Sequence, residues 1–350
     1  TVATGNYDRI RPLADGRVLV RGCRLRYVSP PLDALFIRAF RDAEFDVAEL
    51  SLSYYLIAMA RGGLPYVAIP VFVSRSFRHS TIYIRTDRGI CRPEDLAGKR
   101  VGVREYQTTF AVLMRGLLHD SHGLDPADVE WHIGPIEAGP ESPMYHPPMS
   151  SDLERHVVLH AIAPGKTLAA MLANGEIDAV MSNRPPACFV AGHPFVGRLF
   201  KDWAAAERAY FAATGVFPIM HVIGVRRQLI DDYPWLPMRL FQAFNRAKSI
   251  AAAELDQTQA LAVMLPCLAE TVAETKALMR DNYWPYGITQ NRTALETSIR
   301  HTVEQGHVVD VPVVQAEPDE TATSFNWAIR SEAATPMKLK LRFPGSLSVG

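Results

Sequence analysis

Hydrophobic positions follow two different periods along this chain, and stretches of each kind take turns. Runs of β-branched and aromatic residues at 24–28, 45–50, 66–73 and 80–85 predict strands. Pro30 and Pro31 end the first of them. Asp33 is then placed to cap a helix that carries Leu35, Phe36, Ala39 and Phe40 on one face. A second, short helix is predicted at 53–61. Residues 92–103 read as a helical turn, a stop at Gly98 and a strand. The clearest amphipathic helix is predicted at 108–119, with Phe110, Leu113, Met114 and Leu117 inward. A helix at 166–174 ends on Gly175, and strands follow at 177–181 and 217–225. Beyond Trp235 helical spacing dominates, at 236–254, 271–281 and 293–304.

Strands and helices that alternate in this way predict an α/β architecture. The order suggests two lobes, the first of them discontinuous. The chain would leave it near Arg85, build the second lobe and return near His221. Residues 1–85 plus 221–350 then form one lobe and 86–220 the other. Two crossings make a hinge, and a hinge between α/β lobes makes a ligand cleft. The Pro- and Gly-rich segment 134–151 is read as a loop. The tail from Val311 is Pro-rich and alternates basic and apolar residues near 338–343. It is either an arm that grips a neighbouring subunit or a loose end, and it leans the expectation toward a homo-oligomer.

Composition narrows the classes. At 350 residues the chain has room for two domains. Its 37 basic residues equal its 37 acidic ones, with no basic stripe, which argues against nucleic acid as a partner. No apolar run reaches the roughly 18 residues of a membrane-spanning helix, so no membrane partner is expected. Cys23, Cys91, Cys188 and Cys267 are scattered without a CxxC pair, against a disulfide framework or a thiolate zinc site. The start of the chain lacks a basic head followed by an apolar stretch, so the expected location is the cytoplasm. His119 and His122, and His156 and His160 in a predicted strand, lack an acidic residue to complete a metal set. No phosphate-binding loop, nucleophile elbow or imine-forming lysine stands out, so neither metal nor cofactor is expected.

Ligands of open α/β sheets sit beyond the carboxyl ends of strands. Five clusters fall at such places. Ser51 and Ser53 follow a strand and begin a helix, where they either cap it or hold a carboxylate. Glu49, inside that strand, is a structural carboxylate or a ligand-facing base. Arg78 and His79 lie between two apolar strands. The first offers a planar fork for a carboxylate, and the second titrates near neutral pH. Arg104, Glu105, Gln107, Thr108 and Thr109 join a strand to a helix, a place that suits an anion. Asn183 and Arg184 follow a strand ahead of Pro185 and Pro186. His221 ends an apolar run at the return crossing, as a core histidine or as a proton-transfer group. Trp284, Tyr286 and Asn291 read as core packing.

Two segments resemble the second lobe of type II periplasmic-binding-protein folds. One runs over 95–103, from Asp95 through Gly98 and Lys99 to Gly102 and Val103. The other runs over 175–180, with Gly175, Ile177, Asp178 and Ala179. A narrower resemblance covers roughly 7–306. Its segments are 44–53, 76–80, 103–108, 214–221 and 284–287, with Glu49, Ser51, Ser53, Arg78, His79, Arg104, Thr108, His221 and Trp284 among them. They are similar to the 4,5-dihydroxyphthalate decarboxylase family. The resemblance implies conversion of 4,5-dihydroxyphthalate to protocatechuate and carbon dioxide. The loop 136–149, with Met144, Tyr145 and His146, departs from the more charged segment expected of that family; if it borders the cleft, the substrate differs.

Loss of carbon dioxide from an arene is eased by a deprotonated hydroxyl para to the departing carboxylate. It pushes electrons onto the carbon that then takes a proton. On this reading Arg78 and Arg104 hold the second carboxylate, aided by Ser53 and Thr108. His79 and His221 move protons, with acid and base unassigned between them. The rivals are a non-catalytic receptor for an aromatic or other small organic anion, another enzyme on the same fold, and a regulatory ligand-binding domain.

Overall fold

The computed structural model describes residues 1–139 and 145–308. The predicted tail and Met144 lie outside the described residues. Eleven strands are found among those described: β1 (Val2–Ala3), β2 (Tyr27–Val28), β3 (Val47–Ser51), β4 (Tyr66–Arg75), β5 (Ile82–Arg85), β6 (Arg100–Val103), β7 (Glu130–Ile133), β8 (Leu159–Ala161), β9 (Ala179–Met181), β10 (Val196–Arg198) and β11 (Ile219–Arg226). They form two sheets, one in the order β2-β1-β3-β11-β4 and one in the order β10-β5-β9-β6-β7-β8. Each sheet has its own apolar core, as expected of the two-lobed type II periplasmic-binding-protein-like fold. Tyr210, on helix Trp203–Thr214, packs against both.

Local chemistry explains the helices beside the cleft. Helix Thr109–His122 begins where Thr108 accepts the Ala111 N–H at 3.3 Å. It ends at Gly123, whose φ of 66° is cheap only for glycine. Helix Leu168–Asn174 closes in the same way on Gly175. Helix Leu32–Phe40 differs from expectation. Pro31 is its N-cap and Asp33 lies in the first turn, where its carboxylate pairs with Arg104 instead of capping.

Sheet membership also moves the lobe boundary. Expected in the first lobe, β5 pairs with β9 and β10 of the six-stranded sheet. The first crossing therefore lies over 76–81, before residue 85. The return lies just ahead of β11, where the Ser76 N–H donates to the Pro218 carbonyl at 3.2 Å. The strand predicted at 24–28 shrinks to β2. His156 ends helix Ser151–His156, so it does not share β8 with His160. Beside the return crossing, β11 stays in register with β3 but shifts register against β4 on either side of His221. Pro70, inside β4, has no N–H for the ladder, and such irregularities re-aim side chains.

Candidate active site

Glu49 on β3 is fully buried. It accepts the Gly5 N–H at 2.7 Å, the Tyr7 hydroxyl at 2.7 Å and Nδ1 of His221 at 2.5 Å. Burial alone would push this carboxyl up, but the His221 hydrogen bond and charge, with the Gly5 and Tyr7 bonds, hold it below its ordinary value. The carboxylate therefore stays ionised and pins the ring. With Nδ1 occupied, Nε2 of His221 is left without a protein partner among the described residues. Phe36 meets the ring edge-on at 5.0 Å between centroids. Burial and the Glu49 charge raise the Tyr7 hydroxyl, so Tyr7 remains a donor. The groups converge because β1 and β3 are parallel neighbours and His221 lies opposite Ser51 across the β3–β11 ladder.

Arg78 sits at the first crossing. No protein acceptor meets its guanidinium among the described residues, and Nε is sealed from solvent. Its carbon lies 5.8 Å from the centre of the Phe110 ring. Burial pushes its pKa down, and Glu207 and Tyr7 act against that, so it shares an electrostatic neighbourhood with the Tyr7–Glu49–His221 group. A half-sealed guanidinium without a counter-charge bonded to it is a ready anion site.

His79 is 2 % exposed, with its ring against Phe200 at 5.0 Å and Tyr210 at 5.5 Å. Burial, with the nearby His122, lowers its pKa to about 4. It makes no contact with the Glu49–His221 pair among the described residues.

Ser51 and Ser53 face Thr109 across the lobes. The Thr109 hydroxyl lies 2.9 Å from that of Ser51 and accepts the Ser53 N–H at 3.0 Å, while the Ser53 hydroxyl donates to the Gln107 carbonyl at 2.6 Å. In this closed arrangement the strand-end hydroxyls clasp the lobes to each other. Arg104 likewise bonds Asp33 across the lobes at 3.2 Å. Thr108 is spent as the helix cap, and Gln107 reaches the Pro148 carbonyl at 3.5 Å. Asn183 and Arg184 lie on an exposed bend after β9, whose Met181 stands opposite Val103, and no hydrogen bond among the described residues ties their side chains to this group.

The described end of the Pro-rich loop packs on the first lobe. Tyr145 stacks on Phe40 at 4.9 Å and meets Tyr54 edge-on at 5.5 Å. The Tyr54 hydroxyl crosses to Glu105 at 2.8 Å, a carboxyl that burial raises against the Gln107 and Tyr54 bonds. Among the described residues no three His, Cys, Asp or Glu side chains gather as a metal site, and no helix is long and apolar enough to cross a membrane.

Two curated relatives are similar over most of their length. Both are 4,5-dihydroxyphthalate decarboxylases. The one from Comamonas testosteroni is 40 % identical over 306 residues, 87 % of this chain and 92 % of the relative. The one from Pseudomonas putida is 44 % identical over 213 residues, 61 % of this chain and 81 % of the relative. The chain belongs to the 4,5-dihydroxyphthalate decarboxylase family. Residues 29–137 also match the model described as NMT1/THI5 like. Among solved structures, a putative sulfonate ABC transporter periplasmic sulfonate-binding protein SsuA from Methylobacillus flagellatus KT aligns at 12 % identity and TM-score 0.49, over 86 % of this chain and 80 % of that one. The periplasmic aliphatic sulphonate binding protein SsuA from Escherichia coli aligns at 14 % identity and TM-score 0.48, over 97 % and 92 %.

Four of the five segments that carry the decarboxylase resemblance hold the residues and crossings just described. Residues 44–53 hold Glu49 and the Ser51–Ser53 clasp; 76–80 and 214–221 are the two crossings; 103–108 leads into helix Thr109–His122. The fifth, 284–287, ties down β4: the Trp284 indole N–H donates to the Phe72 carbonyl at 2.9 Å and the Gly287 N–H to Pro70 at 2.9 Å.

Tyr7 was not among the expected site residues, and Thr109 was expected only as a helix cap beside an anion, not as the partner of Ser51 and Ser53. Tyr7 follows a two-residue strand too short to show a period. Thr109 stands beside Thr108, and the sequence does not say which of two adjacent threonines caps and which faces across the cleft.

Proposed function

We propose that this chain converts 4,5-dihydroxyphthalate to protocatechuate and carbon dioxide, with His221 as its proton-transfer group. The observation that carries the proposal is the imidazole held through Nδ1 by an ionised, fully buried Glu49, with no partner on Nε2 among the described residues. Its placement suits attack on the phenol para to the departing carboxylate. As the ring gains a proton, the Glu49 charge 2.5 Å away stabilises the imidazolium.

The phenolate then drives electrons into the ring. The ipso carbon takes a proton, its bond to the carboxylate breaks, and carbon dioxide leaves as aromaticity returns. In the net reaction one solvent proton replaces the carboxylate. Arg78 holds the carboxylate that stays, where charge does not change in the transition state. Glu49 acts as a positioning residue. His79, the other histidine expected to move protons, backs Arg78 on this reading and does not touch substrate. The protein works in a reducing compartment, the cytoplasm, which its four free cysteines support. It acts as a homo-oligomer, which the exposed Leu261, Val263, Met264 and Leu265 support.

The test is incubation of purified protein with 4,5-dihydroxyphthalate, following protocatechuate and carbon dioxide together. Stoichiometric appearance of both is expected. A protein that binds the compound and returns it unchanged is a receptor, and the proposal falls.

A further inference from the structure

Beside the first crossing lies a cavity of about 10 Å³, close to the space that one water needs. Arg78, His79 and His301 are among the residues that line it, with apolar side chains such as Leu113 and Met114 around them. His79 and His301 are each 2 % exposed. Tyr210, Thr297 and Ser298 line it too, but Arg78, His79 and His301 each have one buried nitrogen without a protein partner among the described residues: Nε of Arg78, Nδ1 of His79 and Nδ1 of His301. A buried polar atom left bare costs about 1–3 kcal/mol, so three around one small cavity need a common partner.

The other side of the His301 ring is fixed. Nε2 bonds Oδ2 of Asp120 at 2.8 Å, and Asp120 is clamped by Arg300. Helix Thr109–His122 makes room for the ring at Gly116, where a Cβ would stand 2.2 Å from the imidazole. The ring is thus held with Nε2 toward the surface, which leaves Nδ1 as the atom still needing a partner.

We propose that this cavity holds one ordered water that bonds Arg78, His79 and His301, and that His301 is a positioning residue which, through this water, aims the Arg78 guanidinium at the substrate carboxylate. The water accepts the Arg78 Nε–H and one imidazole N–H, and donates to the other imidazole. It fixes the inner edge of the guanidinium and leaves the outer nitrogens for an anion. The role given to Arg78 rests on the function proposed above; the water itself does not.

The two ends of the ring can be separated by substitution. His301→Asn keeps a polar atom where Nδ1 stands and loses the Asp120 bond. His301→Gln keeps the reach toward Asp120 and loses the cavity atom. A high-resolution crystal structure of the unsubstituted protein is expected to show one water bonded to all three nitrogens. In protein labelled with nitrogen-15 arginine, the Arg78 Nε–H signal is expected to be protected from exchange, lost in His301→Gln and retained in His301→Asn. Calorimetric affinity for phthalate is expected to fall about tenfold in His301→Gln and to be largely restored in His301→Asn. The reverse order of the two variants means that His301 acts through Asp120, and overturns the proposal. Absence of the water overturns it as well. If water and protection are found but phthalate does not bind the unsubstituted protein, the substrate reading fails and the water site stands.

Discussion

The two lobe crossings each carry a histidine, and the two differ in what surrounds them. At the return crossing His221 meets a buried carboxylate that is itself bonded by a backbone N–H and a tyrosine. At the first crossing the His79 ring meets Phe200 and Tyr210, and among the described residues no carboxylate is bonded to it. A carboxylate partner lets an imidazole accept and hold a proton; an apolar wall keeps it neutral. His79 lies in a helical turn ahead of β5 and His221 inside β11, but residue type is the same at both, and the neighbours decide which ring can do chemistry.

The largest effect separates the two rings directly. His221→Ala is expected to lower kcat on 4,5-dihydroxyphthalate by about a hundred- to ten-thousand-fold with little change in affinity. His79→Ala is expected to act through Arg78, chiefly on KM. Single-turnover and steady-state rates on both variants check this. A larger kcat loss in His79→Ala than in His221→Ala would exchange the roles assigned to the crossings.

A smaller effect is expected at Arg78, which lies beside His79 in sequence but shares a field with Tyr7. Arg78→Gln removes a charge-assisted pair with substrate, a loss of about 1.5–3 kcal/mol, or roughly ten- to a hundredfold in affinity. Titration with phthalate, watched by calorimetry, reads it. Arg104→Gln is the contrast. With Arg104 tied to Asp33 across the lobes, its loss bears on closure more than on the carboxylate. Equal losses in the two variants would return Arg104 to the anion site.

Much of the architecture was legible before any coordinates. The continuous apolar run of β4 and the amphipathic face of helix Thr109–His122 are strong signals, and Gly175 marks the stop of helix Leu168–Asn174 through left-handed backbone. The boundary at 85 was not legible, because the period of two in β5 reads the same whichever sheet it joins. The site was legible only in part. Strand ends pointed to Glu49, Ser51, Arg78 and His221. Which of them meet depends on contacts between residues far apart in the chain: 42 positions separate Tyr7 from Glu49, and 172 separate Glu49 from His221. Nothing local tells that Ser51 and Ser53 are taken up by Thr109, or that Arg104 is taken up by Asp33.

The smallest effect is on stability, and it uses the apolar wall of His79. Burial, with His122, lowers its pKa from 6.5 to about 4 in the folded protein. Between those two values the unfolded chain binds a proton that the folded chain refuses. Unfolding takes up protons there, so stability falls as pH falls from 6.5 toward 4 and is fully present above 6.5. His307, also buried and lowered by burial and Arg115, works in the same direction, while the raised carboxyl of Glu207 beside His79 works against it. His79→Phe removes one titrating group and leaves the other two. Its melting temperature is therefore expected to drop less between pH 7 and pH 5 than that of the unsubstituted protein. Thermal melts of the two proteins across this window read the difference. Parallel curves would mean that the apolar wall at the first crossing does not keep the His79 ring neutral.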